Sequence, residues 1–182
     1  MGSQILNLPN ALSLLRLVGT PALFWLARLP DHRWVALWFA VLGVTDALDG
    51  HLARRWHQTS EFGSRLDGIA DLVFYPTGAV LLLWLFPQYL QPNLGYIGVT
   101  LALLVAVNAY PRLRFGRFIL LHTNLARWSG VLAFVAILGA FVADTTLLIR
   151  ATALAYSVAF VEGLLIFHRR GPVSPDTRSL WS

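Results

Sequence analysis

Cysteine and lysine are both absent from this chain of 182 residues, and acids are scarce, with nine Asp and Glu in all. The first absence excludes disulfides, zinc–thiolate centres and a cysteine nucleophile, and leaves no signal of redox compartment. The second means that the formal net charge of +5 rests on 14 arginines. Charged residues make up 13% of the chain, against roughly a quarter in a soluble domain. Apolar residues fill the difference, at 57% with a mean hydropathy of +0.62, which predicts an integral membrane protein. The arginines flank apolar runs, so they read as topology signals and as partners for anionic lipid or phosphate, and no nucleic-acid partner is expected. The N-terminus shows no cationic region ahead of its first apolar run, so no removable signal peptide is expected, and the opening Met1-Gly2-Ser3 is not taken as an acylation signal.

A hydrocarbon core about 30 Å thick takes about 20 helical residues to cross. Six segments qualify, at residues 10–27, 33–54, 60–86, 94–110, 125–143 and 147–167. The expected fold is therefore all-α, an integral membrane bundle of six transmembrane helices in one domain over residues 1–170, with a flexible tail over 171–182. With the N-terminus in the cytoplasm, 11 arginines fall on that side, leaving Arg28, Arg33 and Arg150 outside. That bias places both termini in the cytoplasm. Trp34, Trp56, Trp84 and Trp128 suit the membrane interfaces.

Within the first segment Asn10 or Ser13 is positioned to cap a helix, and Pro21 should bend or relax it. Arg16 lies inside an apolar run, where a central charge costs about 2.5–3.5 kcal/mol on insertion scales. It either snorkels to the interface or points into a polar cavity. Ser60 is the expected N-cap of the third helix, Pro76 falls inside it and Pro87 ends it. The stretch 111–124 forms a basic loop. Arg112, Arg114, Arg117 and Arg127 either set topology or build an anion pocket for an acceptor's phosphate. In the last segment Ala151, Ala155, Ala159 and Gly163 form a small-residue stripe for close helix packing, inside the bundle or against a second subunit, and Glu162 beside it needs a partner.

Four aspartates, in a chain with nine acids, fall in the stretch 46–71, DALDGHLARRWHQTSEFGSRLDGIAD. Asp46 and Asp49 share one helix face, as do Asp67 and Asp71. Facing lipid, four carboxylates would cost on the order of 10 kcal/mol, so they belong to a polar site or to the interface. Oxygen-only ligands of this kind favour hard divalent ions such as Mg²⁺ or Mn²⁺. Gly50, Ala53, Gly63 and Gly68 leave room for a bulky ligand, and Arg54 and Arg65 can serve a diphosphate. Small residues, paired acids and arginine together suit a metal-bound pyrophosphate.

The spacing Asp46-x2-Asp49-Gly50-x2-Ala53-Arg54-x8-Gly63-x3-Asp67-x3-Asp71, eight fixed positions over 26 residues, resembles the signature of the CDP-alcohol phosphotransferase family. The resemblance implies transfer of a substituted phosphate from a CDP-linked lipid such as CDP-diacylglycerol to an alcohol, with release of CMP, in phospholipid synthesis. It implies that Asp46, Asp49, Asp67 and Asp71 ligate two divalent metals, with Asp71 also the general base. Gly50, Ala53, Arg54 and Gly63 would line the pocket for CMP and the diphosphate. It further implies a homodimer in the bacterial inner membrane with its active site facing the cytoplasm.

The acceptor is a separate question. Leu8-Pro9-Asn10, Ser13, Arg16 and Pro21 resemble the start of bacterial phosphatidylglycerophosphate synthases, which points to glycerol 3-phosphate and makes Arg16, Arg112, Arg114, Arg117 and Arg127 candidate acceptor-binding residues. Those enzymes usually follow the third aspartate with proline and the fourth with lysine, whereas this chain has Gly68 and Leu72. Serine, inositol phosphate and other alcohols stay open as acceptors. His51 and His57 flank the motif as possible metal ligands, and His122 with Thr123 is a further acceptor candidate. From a different class, the acids could belong to a cation transporter, whose site would lie near the bilayer midplane among broken helices. A family member that binds CDP-lipid without turnover is the third alternative.

Overall fold

A computed structural model describes residues 7–56, 60–117, 119, 121, 123–173, 177, 179 and 180, excepting the side chains of residues 47, 49–51, 53, 54, 61 and 64. The described residues are helical, with no strand. They form two compact units, Met1–Pro87 with Ala140–Ala143, and Gln88–Gly139 with Asp144–Ser182.

In the first unit α1 (Leu8–Gly19) packs against both α3 (Arg33–Arg55) and α4 (Glu61–Leu85), with the short α2 (Ala22–Leu26) against α3. The cap of α1 is neither Asn10 nor Ser13. Asn7, in an extended conformation, accepts from the Asn10 N–H at 2.9 Å, and Pro9 follows within the first turn, where its missing N–H costs nothing. The helix then breaks where Pro21 was expected to bend it, because a proline donates no hydrogen bond to the turn behind it. Thr20 closes the end through its hydroxyl, which donates to the Arg16 carbonyl at 2.6 Å. The Gly19 carbonyl accepts from Trp38 Nε1–H on α3 at 2.9 Å. A Cβ at Gly19 would stand 3.0 Å from both Leu42 and Trp38, so the glycine sets how near α1 lies to α3. Leu23, Val35, Phe39, Leu42, Ala70 and Phe74 fill the interior, with the rings of Phe39 and Phe74 stacked at 4.6 Å. Ser60 caps α4 as expected, accepting from the Gly63 N–H at 3.0 Å, and Pro76 lies inside the helix.

In the second unit α8 (Thr146–Arg170) packs against α6 (Leu94–Phe115) and α7 (Asn124–Gly139). The link 88–93 is helical: α5 (Pro87–Leu90) runs into a 3₁₀ turn, Gln91–Asn93. The basic stretch begins as helix, since Arg112 and Arg114 sit on the last turn of α6, which Gly116 ends in the left-handed conformation, φ 66°. The small-residue stripe divides. Ala159 and Gly163 are buried within the unit while Ala151 is exposed, and a Cβ on Gly163 would come 2.9 Å from Val107 on α6. Thr100 adds a polar tie between the same helices, meeting the Ala153 carbonyl at 3.0 Å and the Ser157 hydroxyl at 2.9 Å. Glu162 finds its partner in the tail, accepting from the Leu180 N–H at 3.1 Å, while Arg170 donates to the Leu180 carbonyl.

Three helical segments among the described residues are long and apolar enough to cross a membrane, Arg65–Leu85, Pro87–Phe115 and Thr146–Arg170, and α7 is a shorter apolar helix. Val18, Leu72, Val105 and Leu147 are exposed on their helices, the pattern of a surface in contact with lipid. Gly163→Val should force α6 and α8 apart and destabilise the protein by about 1–3 kcal/mol, the usual cost of overpacking. The fall in melting temperature of the detergent-solubilised chain, compared with the exposed control Ala151→Val, measures it.

Candidate functional site

Along α1 the residues Asn10, Ser13, Arg16 and Thr20 are buried, while Leu8, Leu14, Leu15 and Val18 are exposed. Steps of three and four put the polar set on one face, and that face meets α3 and α4. The amphipathic sense is thus reversed from that of a soluble helix, with polar groups inward and leucines outward.

Arg16 is the centre of this face. Its side chain is fully buried, at 0% exposure, whereas those of Asp46, Asp67 and Asp71 keep 28, 41 and 40%. Its Nη1 donates to Asp46 Oδ1 on α3 and its Nη2 to Asp67 Oδ1 on α4, with Asp71 Oδ1 3.2 Å from the same Nη2. Of the two expectations for this arginine, the polar interior is the one realised. Tyr75, one turn beyond Asp71 on α4, adds a side-chain hydrogen bond to Asp46.

Asp67 and Asp71 meet because they are four residues apart on a helix, and α3 brings Asp46 to them. One oxygen from each of the three lies within 4.8 Å of the others, a separation at which one cation can be shared. Three carboxylates against one guanidinium leave an excess of negative charge, which a further cation would offset. The donors are all carboxylate oxygens, half-exposed and clustered, so the acidic cluster is compatible with a hard divalent ion.

Gly63 lies at a tight contact between α4 and α1: a Cβ there would stand 2.6 Å from Asn10 Oδ1 and 3.1 Å from Ser60 Oγ. At Gly68 a Cβ would meet nothing within 4 Å, so α4 has open space beside Asp67. Arg65 is exposed on α4. The Asp49, Gly50, Ala53, Arg54 and His51 side chains, together with His57 and His122, lie outside the described residues. Arg112, Arg114, Arg117 and Arg127 belong to the second unit and are exposed, and none forms an ion pair with a carboxylate of the described residues. Asn10 and Tyr75 are the site neighbours that sequence reasoning did not place. The polar period of α1 was the available signal for the first, and nothing marked the second.

Arg16→Met should expose the three carboxylates to one another, and combining it with Asp67→Asn should cost less than the sum of the two. We expect a coupling within about 0.5–3 kcal/mol, the range for residues in one charged network, read from a double-mutant cycle on detergent-solubilised protein.

The profile of the CDP-alcohol phosphatidyltransferase family matches residues 6–163. The chain is 41% identical over 87 residues to a protein of Streptomyces coelicolor named cardiolipin synthase (CMP-forming), covering 44% of this chain and 40% of the relative. It is 37% identical over 139 residues to a CDP-diacylglycerol–glycerol-3-phosphate 3-phosphatidyltransferase of Cereibacter sphaeroides, covering 72% of this chain and 61% of the relative. A protein of the same name from Sodalis glossinidius is 44% identical over 81 residues, 42% of this chain and 44% of the relative. The matches thus span between 40 and 61% of the length of these curated relatives. The family profile extends from the polar face of α1, through the carboxylates of α3 and α4, to Gly163 of α8, and the chain belongs to the CDP-alcohol phosphatidyltransferase family.

Proposed function

We propose that the protein transfers a phosphatidyl group from CDP-diacylglycerol to an alcohol and releases CMP, acting from the cytoplasmic face of a bacterial inner membrane. The reading is carried by one observation: Asp46, Asp67 and Asp71, three of the four aspartates of the motif, converge on one point. It includes six membrane crossings with both termini in the cytoplasm, supported by the arginine distribution, and assembly as a homodimer.

In this scheme Asp46, Asp49, Asp67 and Asp71 would hold two divalent cations, Mg²⁺ or Mn²⁺, which when bound neutralise the donor's diphosphate and the departing CMP. Gly50, Ala53, Arg54 and Gly63 receive the nucleotide and diphosphate. Asp71 accepts the proton of the acceptor hydroxyl as that oxygen bonds to the lipid-bearing phosphorus. The phosphoanhydride bond to CMP breaks, and the electron pair leaves with CMP. Arg16 orients the carboxylates, since its two nitrogens reach three of them from α1.

Glycerol 3-phosphate is the first choice of acceptor, with Arg112, Arg114, Arg117 and Arg127 candidates for its phosphate. The names of the Cereibacter and Sodalis relatives support it. A second reading, phosphatidylglycerol as acceptor, is supported by the name of the Streptomyces relative, cardiolipin synthase (CMP-forming). Purified protein supplied with CDP-diacylglycerol and, in turn, glycerol 3-phosphate, phosphatidylglycerol, serine and inositol phosphate, scored for CMP, separates these. If no acceptor yields CMP, while the ion flux of a cation transporter is found in proteoliposomes, the transferase reading is wrong.

Two expectations accompany the scheme. Asp71→Asn should lower CMP release by about 10²–10⁴-fold, the usual range for a general base, while CDP still protects the variant against thermal unfolding. Chelation should stop turnover and readdition of Mg²⁺ or Mn²⁺ restore it. Full activity in excess chelator would overturn the metal assignment.

A further inference from the structure

Arg150 lies one turn into α8, far in sequence from the carboxylate motif, in a setting made of neutral groups. Its Nε–H donates to Asn93 Oδ1 at 3.1 Å, and its guanidinium carbon stands 5.1 Å from the centroid of the Tyr96 ring. Asn93 is fully buried, and its amide nitrogen donates to two carbonyls, Tyr89 at 3.0 Å and Thr146 at 2.8 Å. Those acceptors fix which way the amide points, because a flipped amide would set oxygen against oxygen. Oδ1 is therefore already turned toward Arg150, and the ring of Tyr96 holds the guanidinium from a second side.

None of these partners carries a negative charge. No carboxylate of the described residues forms an ion pair with Arg150, and neither Nη makes a hydrogen bond to a described residue. The acid next in sequence, Asp144, accepts from the Thr146 N–H at 2.7 Å. The Thr146–Arg170 segment is long and apolar enough to cross a membrane. At 1.5 Å per residue, Arg150 then sits about 6 Å from the first residue of this segment, near the end of the span where lipid headgroups are within reach of a long side chain. A cation at that depth needs an anion, and a guanidinium fork with both Nη groups open matches a phosphate.

We propose that Arg150, held by Asn93 and Tyr96, binds the phosphodiester of a phospholipid at the start of α8. The site uses none of the carboxylate residues, so it stands or falls apart from the catalytic reading. It requires only that α8 spans the membrane.

Native mass spectrometry of the full chain in a neutral detergent tests it, with phosphatidylglycerol, diacylglycerol and inorganic phosphate as probes. Wild type should retain one more phosphatidylglycerol than Arg150→Gln. The apparent affinity of that lipid should fall about tenfold, equivalent to about 1.4 kcal/mol. Diacylglycerol, which lacks the phosphate, should not be retained, and millimolar inorganic phosphate should not displace the lipid. CMP release by Arg150→Gln should match wild type, which separates loss of this lipid from loss of the donor site. Equal retention by wild type and variant, retention of diacylglycerol, displacement by inorganic phosphate, or a parallel loss of CMP release would each overturn the proposal. If Arg150→Gln does not fold, Tyr96→Leu, which removes the ring beside the guanidinium, takes its place with the same expected and overturning outcomes.

Discussion

A fully buried guanidinium facing three carboxylates is the interaction on which the first unit depends. It explains why a helix rich in leucine buries Asn10, Ser13 and Thr20 beside Arg16, and why Gly19 and Gly63 stand at the contacts of α1 with α3 and α4. Buried charge is weak evidence for stability, since desolvation offsets most of what pairing returns. It is stronger evidence for geometry. A guanidinium can reach carboxylates on two helices only when both stand at the right depth and rotation, so the network selects one arrangement of α1, α3 and α4 from the many that leucines alone would tolerate.

The carboxylates were legible in the sequence because their spacing is itself a geometric statement. Residues four apart on a helix must share a face, whatever surrounds them, so the pairing of Asp67 with Asp71 needed no tertiary information. The place of Arg16 was not legible to the same degree. A lone arginine in an apolar run has two physical resolutions, and choosing between them requires knowing that acids from 30 and 51 residues later arrive beside it. The steps from Asn10 through Ser13 and Arg16 to Thr20 carried that information in latent form, as a polar stripe in a helix whose outside is lipid.

Other differences have similarly local causes. Length and hydropathy suggested one continuous first helix, but the missing N–H of Pro21, the hydroxyl of Thr20 and the indole of Trp38 together end α1 at Gly19. The link 88–93 carries no charge, and Asn93 organises it by bonding two carbonyls and an arginine side chain that sequence distance hides. Arg112 and Arg114 read as loop residues because Pro111 precedes them. The helix continues past that proline to Gly116, whose left-handed conformation supplies the stop.

The break after Gly19 also bears on how the chain is assembled. With 12 residues, α1 is about 18 Å long, short of a hydrocarbon core of about 30 Å, and it carries a charge in its last turn. Synthesis delivers this helix before its acidic partners, since Asp67 follows Arg16 by 51 residues. Until α4 emerges, the polar face of α1 has only part of the acidic partners it meets in the folded unit. The order in which the chain leaves the ribosome therefore sets when α1 can settle.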